Sequence, residues 1–172
     1  MIVVLLGYMG SGKSSVGRPL AKLLNCPFID LDCYIESQQA SSISNLFETK
    51  GALEFREIES KAVFEICNAH SSLVLALGGG TPCYGDTLPY LLSHSNITTV
   101  YLKASVKSLT ERLIIEKYNR PLIANIPDDK LSEFIAKHLF ERSAFYSQAE
   151  FTVDVSAMQI DQIVQEINSA LN

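Results

Sequence analysis

Ile2-Val3-Val4-Leu5-Leu6-Gly7-Tyr8-Met9-Gly10-Ser11-Gly12-Lys13-Ser14-Ser15-Val16 carries an apolar run into a glycine-rich turn and out into a helical pattern. Apolar residues without alternation read as a strand covered on both faces, as the interior of a parallel sheet requires. Residues 7–14 fit G-x-x-x-x-G-K-[ST], and Ser15–Leu24 follow with Val16, Leu20, Leu23 and Leu24 on one helical face. Strand, turn and helix in this order make an anion cradle. Gly10, Ser11 and Gly12 let successive backbone N–H groups converge on phosphate oxygens at the positive end of the helix. Lys13 can then reach the β- and γ-phosphates of a nucleotide, and the Ser14 hydroxyl, followed by Ser15, can ligate Mg2+. A glycine turn with an incidental lysine is the bland alternative, and the flanking strand and helix count against it. The motif names a nucleotide and leaves the acceptor open.

Working outward, Pro27–Leu31, Leu73–Leu77, Thr98–Leu102 and Phe151–Val155 are four more short runs rich in Val, Ile, Leu, Thr and Phe. Helical patterns separate them, so the chain reads as a three-layer α/β fold: a five-stranded parallel sheet flanked by helices with right-handed crossovers. The crossover from the second strand to the third spans about forty residues, with breaks at Ser41–Ser42 and Lys50–Gly51. Glu116–Asp129 is polar, holds Pro121 and Pro127, and ends in a helix start at Asp128-Asp129; it reads as a mobile loop inside one domain, residues 1–172.

Composition narrows the function. At 172 residues the chain can bury a core without disulfide or metal support. A net charge of −5 counts against a nucleic-acid binder, and any anion site must be assembled locally from single cations. Cys26, Cys33, Cys67 and Cys83 show no metal-ligand spacing and read as buried free thiols of a reducing compartment, with Cys33 the partial exception because it follows Asp32. His70, His94 and His138 show no ligand spacing either, and His138 reads as surface. Tyr8 and Met9 read as tolerated variation within the loop. The opening apolar run has no basic flank and is too short for a leader, and no run reaches membrane-spanning length, so a soluble cytoplasmic protein is expected.

Several residues point to the acceptor. Asp30 and Asp32 lie at the carboxyl end of the second strand, where ligands of open α/β sheets bind. One can hold a Mg2+-bound water and the other a reacting hydroxyl; equally, the two can be helix N-terminal charges. On the helix expected from Gly51 to Ala69, Ala52, Arg56, Glu59, Val63 and Ile66 share a face, so Arg56 and Glu59 interrupt an apolar stripe. Either Glu59 orients Arg56 towards a ligand, or the two form a half-exposed ion pair. Gly78-Gly79-Gly80 permits close backbone approach and free N–H donors, or is a flexible turn. In the helix expected from Asp128 to Gln148, Arg142 falls on the face of Leu131, Phe134, Ile135, Leu139 and Phe145, as a ligand-directed cation or a snorkelling one. Arg120, before Pro121, is a surface charge unless the loop closes over a γ-phosphate.

GYMGSGKSS, DLD, EFREIE, LGGGTP, NRPL and ERSAFY occur in this order across nearly the whole chain, which thereby resembles the shikimate kinase family. The resemblance implies the nucleoside monophosphate kinase-like P-loop fold, with a substrate-binding region at about 32–60 and a lid at about 112–124. It implies binding of ATP and shikimate and transfer of the γ-phosphoryl group to the 3-hydroxyl of shikimate; a monomer that touches neither nucleic acid nor membrane is expected alongside. It gives phosphate and Mg2+ binding to Lys13 and Ser14, a role through Mg2+-bound water to Asp30, and the acceptor hydroxyl to Asp32. Arg56 and Arg142 become a carboxylate clamp, with Glu59, Gly78, Gly79 and Gly80 beside it. Arg120 becomes the lid cation, and Arg112 the stacking partner of adenine. Where the family often carries Ser or Thr before the triple glycine, this chain has Ala76 and Leu77.

Overall fold

The structure is a computed structural model and describes residues 1–171, all but the side chain of Asn119. Strand β1 (Ile2–Leu6) lies at the centre of a five-stranded sheet with β2 (Phe28–Asp30), β3 (Leu73–Ala76), β4 (Ile97–Lys103) and β5 (Phe151–Asp154). The order is β2-β3-β1-β4-β5 and every pairing is parallel. All five β1 residues are 0% exposed, as the unbroken apolar run requires of a strand with neighbours on both edges and helices on both faces.

The helices are α1 (Lys13–Leu23), α2 (Leu31–Gln39), α3 (Ile43–Ala69), α4 (Thr87–Ser93), α5 (Val106–Glu116), α6 (Pro121–Ala124), α7 (Asp128–Tyr146) and α8 (Ile160–Leu171). From β1 the chain crosses over β3 to β2 and returns; from β3 it crosses β1 to β4. The connections thus leave β1 and β3 in opposite directions, and a crevice opens between their carboxyl ends. The glycine-rich loop follows β1 and the triple glycine follows β3, so the topology sets them side by side.

Differences from the sequence reading are local. Leu31 is the first residue of α2 and not the last of β2, because Asp30 caps the helix there: its carboxylate accepts from Asp32 N and Cys33 N at 3.1 and 3.3 Å. In α1 the buried face is Val16, Gly17, Leu20 and Ala21; Leu23 is exposed and Leu24 lies beyond the helix. A side chain at Gly17 would meet the Phe28 ring at 2.3 Å, so α1 seats on β2 only through a glycine. Ser42 caps α3, and Gly51, at φ 80°, breaks it as its sequence position implies. After the break Ala52 is exposed and Phe55 takes its place on the inner face.

Residues 116–129 are not an irregular loop. They hold a 3-10 turn at 117–119 and the one-turn helix α6, with Pro121 at its first position. Lys117, only 6% exposed, bridges to Asp128 at 2.5 Å and ties the start of this segment to the start of α7. Phe145 is exposed and Tyr146 is the fully buried aromatic of the last turn of α7. Only Cys67 among the cysteines is buried; Cys33 is exposed, and Cys26 and Cys83 are half-buried. No helix among the described residues is long and apolar enough to cross a membrane.

Candidate active site

The loop after β1 needs its glycines. Gly7, Gly10 and Gly12 have φ of 146°, 78° and 91°, a region that side chains resist, and Gly12 opens α1. Lys13 folds back over the loop, and its Nζ donates to the carbonyls of Gly7 (2.7 Å) and Tyr8 (3.0 Å). Burial pushes the lysine down to about 8, opposed by Asp32 and Asp30 and reinforced by Arg120 and Arg142. Those four charges therefore surround one ammonium group. Ser11 is 2% exposed and its hydroxyl has no partner among the described residues.

Ser14 Oγ donates to Asp30 Oδ2 at 2.5 Å. A hydroxyl and a carboxylate at the first turn of α1 are hard oxygen donors of the kind Mg2+ takes alongside waters and substrate phosphates. Among the described residues no group of three or more His, Cys, Asp or Glu side chains could hold a metal ion. Asp32 opens onto the cleft and is exposed there, yet the surrounding protein raises its carboxyl to about 6. Desolvation is the main cause, followed by the negative charges of Asp30 and Glu59, with Lys13 opposing. Asp30 caps a helix and also holds Ser14, while Asp32 faces the cleft.

Behind Asp32 lies a second cluster. Glu59, 2% exposed, pairs with Arg56 through Oε2 and accepts from Thr81 Oγ1 at 2.7 Å through Oε1. The Arg56 guanidinium also stacks on Tyr84 at 4.5 Å. The triple glycine lets these groups meet. A Cβ on Gly78 would lie 2.8 Å from Thr81 Oγ1, 2.9 Å from Glu59 Oε1 and 3.0 Å from Asp32 Oδ1; one on Gly80 would lie 2.7 Å from Arg56 Nη2. At Gly79 a Cβ would press on Met9 N at 3.2 Å, so the triple glycine abuts the phosphate loop. The three glycines serve close approach and not flexibility.

A cleft of about 420 Å³ opens over the phosphate loop, walled by Met9 to Val16, Asp30, Asp32, Gly78, Gly79, Arg112 and Arg120. Arg112 donates to Gly10 O (3.3 Å) and Val155 O (2.8 Å), bracing the loop against the end of β5. Arg120 is paired with Glu116 through Nε (3.0 Å) and Nη2 (2.5 Å), and both residues line the cleft. Arg56, Glu59, Gly80 and Arg142 are not on this wall. They form the neighbouring cluster, and the half-buried thiol of Cys83 feels the charges of Arg142, Arg56 and Glu59 together.

A family model described as shikimate kinase matches residues 9–172. The shikimate kinase of Flavobacterium johnsoniae is 45% identical over 165 residues, covering 96% of this chain and 95% of the relative. The chain belongs to the shikimate kinase family. Among solved structures, the shikimate kinase from Bacteroides thetaiotaomicron superposes with a TM-score of 0.91 at 35% identity, covering 99% of this chain and 98% of that one. The Acinetobacter baumannii shikimate kinase in complex with shikimate superposes with a TM-score of 0.88 at 29% identity, covering 99% and 92%.

In this family member, the residues singled out in the sequence fall into two adjoining groups around the β1–β3 crevice. Sequence reasoning missed four others. Thr81 holds Glu59, Tyr146 donates to Gly79 O, and Tyr8 and His138 are hydrogen-bonded at 2.9 Å. Tyr8, read from sequence as tolerated variation, is a core residue, 1% exposed, and His138 is half-buried and not on the surface. For Tyr146 a signal existed: it stands four residues after Arg142, on the same helical row. For the Tyr8–His138 pair, 130 residues apart, no local signal exists.

Proposed function

We propose that this chain is a cytoplasmic, monomeric, single-domain shikimate kinase. It transfers the γ-phosphoryl group of ATP to the 3-hydroxyl of shikimate, giving shikimate 3-phosphate and ADP for aromatic amino acid biosynthesis through chorismate. The observation that carries this reading is the position of Asp32. It faces the phosphate loop through Lys13 on one side and meets Glu59 across Gly78 on the other. A hydroxyl held by Asp32 stands where the nucleotide and acceptor halves of the site adjoin.

In this reading Gly10, Ser11, Gly12, Ser14 and Ser15 cradle the phosphates, Arg112 flanks the adenine, and Lys13 neutralises the β- and γ-phosphates. Ser14 and Asp30 hold Mg2+, which supplies charge neutralisation on the phosphates when bound. Arg120 leaves Glu116 for the transferring group. Phosphoryl transfer runs through a loose transition state and asks mainly for positioning and charge. Asp32, ionised above about pH 6, accepts the hydroxyl proton's hydrogen bond and orients the oxygen. Arg56 and Arg142 hold the carboxylate, with the Gly79 and Gly80 backbone beside them. Hydrogen bonds between charged groups contribute ~1.5–3 kcal/mol each. Two arginines therefore give roughly 10²–10⁴ in preference for a carboxylated ring over a neutral polyol.

The test is ADP release from MgATP with shikimate, gluconate or a nucleoside monophosphate as acceptor, for wild type and Asp32→Asn. Stimulation by shikimate alone, lost in the variant, supports the reading. Stimulation by another acceptor, or by none, overturns it.

A further inference from the structure

The hydrogen bond between Tyr8 and His138 joins the phosphate loop to α7 across 130 residues of sequence. Tyr8 belongs to the phosphate loop. Its carbonyl accepts from Lys13 Nζ at 3.0 Å, while its hydroxyl meets Nδ1 of His138 at 2.9 Å and its ring stands edge-on to the imidazole with centroids 5.5 Å apart. His138 sits in α7, and Phe134 packs on its other side at 5.3 Å. The residue that grips the catalytic lysine by its main chain grips α7 by its side chain.

His138, Arg142 and Tyr146 stand four apart and so form one row along α7. The first is bonded to the phosphate loop and the last donates to Gly79 O in the triple glycine. Arg142, between them, takes part in no ion pair among the described residues. Its charge reaches Tyr8, Lys13, Cys83, His138 and Tyr146. Among the described residues no carboxylate pairs with this guanidinium, and its hydrogen-bonding neighbour is Tyr146, one turn further along the same helix. Its aim therefore depends on where the helix lies, and the helix is pinned at one turn above and one turn below it.

We propose that Tyr8 and His138 are positioning residues for Arg142: their hydrogen bond sets α7 against the phosphate loop so that the guanidinium is held ready for the acceptor's carboxylate. This rests on Arg142 being a carboxylate ligand in the proposed function. The Tyr146–Gly79 contact fixes only one end of the row. Lys117 holds the start of α7, and Leu131 and Ile135 are buried. Loss of the other contact therefore leaves the helix packed but free to shift locally around His138 and Arg142. A misplacement of an ångström at a ligand-binding cation is costly. Burial, more than the neighbouring charges, lets the pair work as an uncharged bond. Burial holds the Tyr8 hydroxyl up at about 12, and burial together with Arg142 holds His138 below its ordinary value.

The test is a double-mutant cycle of Tyr8→Phe and His138→Phe, both of which keep a ring in place. Shikimate and MgADP binding are measured separately by titration calorimetry, and thermal unfolding is followed in parallel. A net hydrogen bond's worth of positioning predicts that each single variant weakens shikimate binding about threefold to tenfold. MgADP binding stays within twofold, and the double variant is no weaker than the weaker single. His138→Asn, whose Oδ1 stands in for Nδ1 as acceptor, recovers most of the loss. Unchanged shikimate binding in Tyr8→Phe overturns the proposal. So does an equal weakening of both ligands that follows a lowered Tm, because that is the mark of a merely structural contact. A wild-type protein that binds MgADP and no shikimate brings down the functional reading itself, and this is seen before any variant is compared.

Discussion

Asp32→Asn should abolish turnover and stabilise the protein. The Asp32 carboxyl is raised from 3.8 to about 6, chiefly because the cleft desolvates it and because Asp30 and Glu59 repel a further negative charge. A folded-state value above the unfolded one means that the native state binds the proton more tightly. Its contribution is therefore favourable below about pH 4 and is lost as pH rises through about 6. A shift of this size corresponds to about 3 kcal/mol, and screening at a cleft-exposed side chain reduces it to about 1 kcal/mol. No hydrogen bond to the Asp32 carboxylate is lost with the substitution among the described residues, so the relief is not offset. For a chain of this size 1 kcal/mol moves Tm by about 2–4 °C. The assay is thermal unfolding of both proteins from pH 4 to pH 7 without nucleotide or divalent cation. The variant should match the wild type near pH 4 and exceed it by roughly 2–4 °C at pH 7. A variant equally or less stable than the wild type at pH 7 would refute the reasoning.

Lys13, held down at about 8 by burial, is half-protonated at pH 8 and should be drawn fully to its charged form by nucleotide phosphates. Calorimetry of MgADP binding in buffers of different ionisation enthalpy should show uptake of about half a proton at pH 8 and little at pH 7; equal uptake at both refutes it. Gly80→Ala should fold normally, since φ is −96° there, while its methyl displaces the Arg56 guanidinium that would lie 2.7 Å away. Loss of the carboxylate bond proposed for that arginine predicts about 10–100-fold weaker shikimate binding with MgADP binding intact. Thr81→Val strands the buried Glu59 Oε1 without a donor, at about 1–3 kcal/mol, and should raise KM for shikimate but not for MgATP. Thr81→Ser, which keeps the hydroxyl, should restore both Tm and KM.

The parts of this molecule that could be read along the chain are those written locally. The β1 run, the phosphate loop and its helix are contiguous, so periodicity and glycine spacing revealed them together. Arg56 and Glu59 could be paired because three residues of helix bring them to one side. Their surroundings could not. Ala52 seemed to share their face, but the break at Gly51 leaves it exposed and Phe55 fills the interior. The two prolines between 116 and 129 made a structured connection look irregular, although Pro121 starts α6 and Asp128 holds the buried Lys117. Hydropathy put Phe145 inside ahead of Tyr146. The structure reverses them because the Tyr146 hydroxyl finds the Gly79 carbonyl, which removes the cost of burying it. The triple glycine invited a ligand-binding interpretation, yet what it most visibly admits is the protein's own Asp32, Glu59, Arg56 and phosphate loop. Contacts of this kind depend on partners tens of residues away, and no local pattern carries them.

The central claim is that Asp32 presents a shikimate hydroxyl to a nucleotide held by Lys13. The most direct measurement is to supply γ-labelled ATP with Mg2+ and shikimate and to follow the label and its position of attachment by phosphorus–proton correlation spectroscopy. The account predicts one labelled phosphate per ADP formed, esterified at the 3-hydroxyl, and none with Asp32→Asn. Label released as inorganic phosphate, or attached at another hydroxyl, would contradict it.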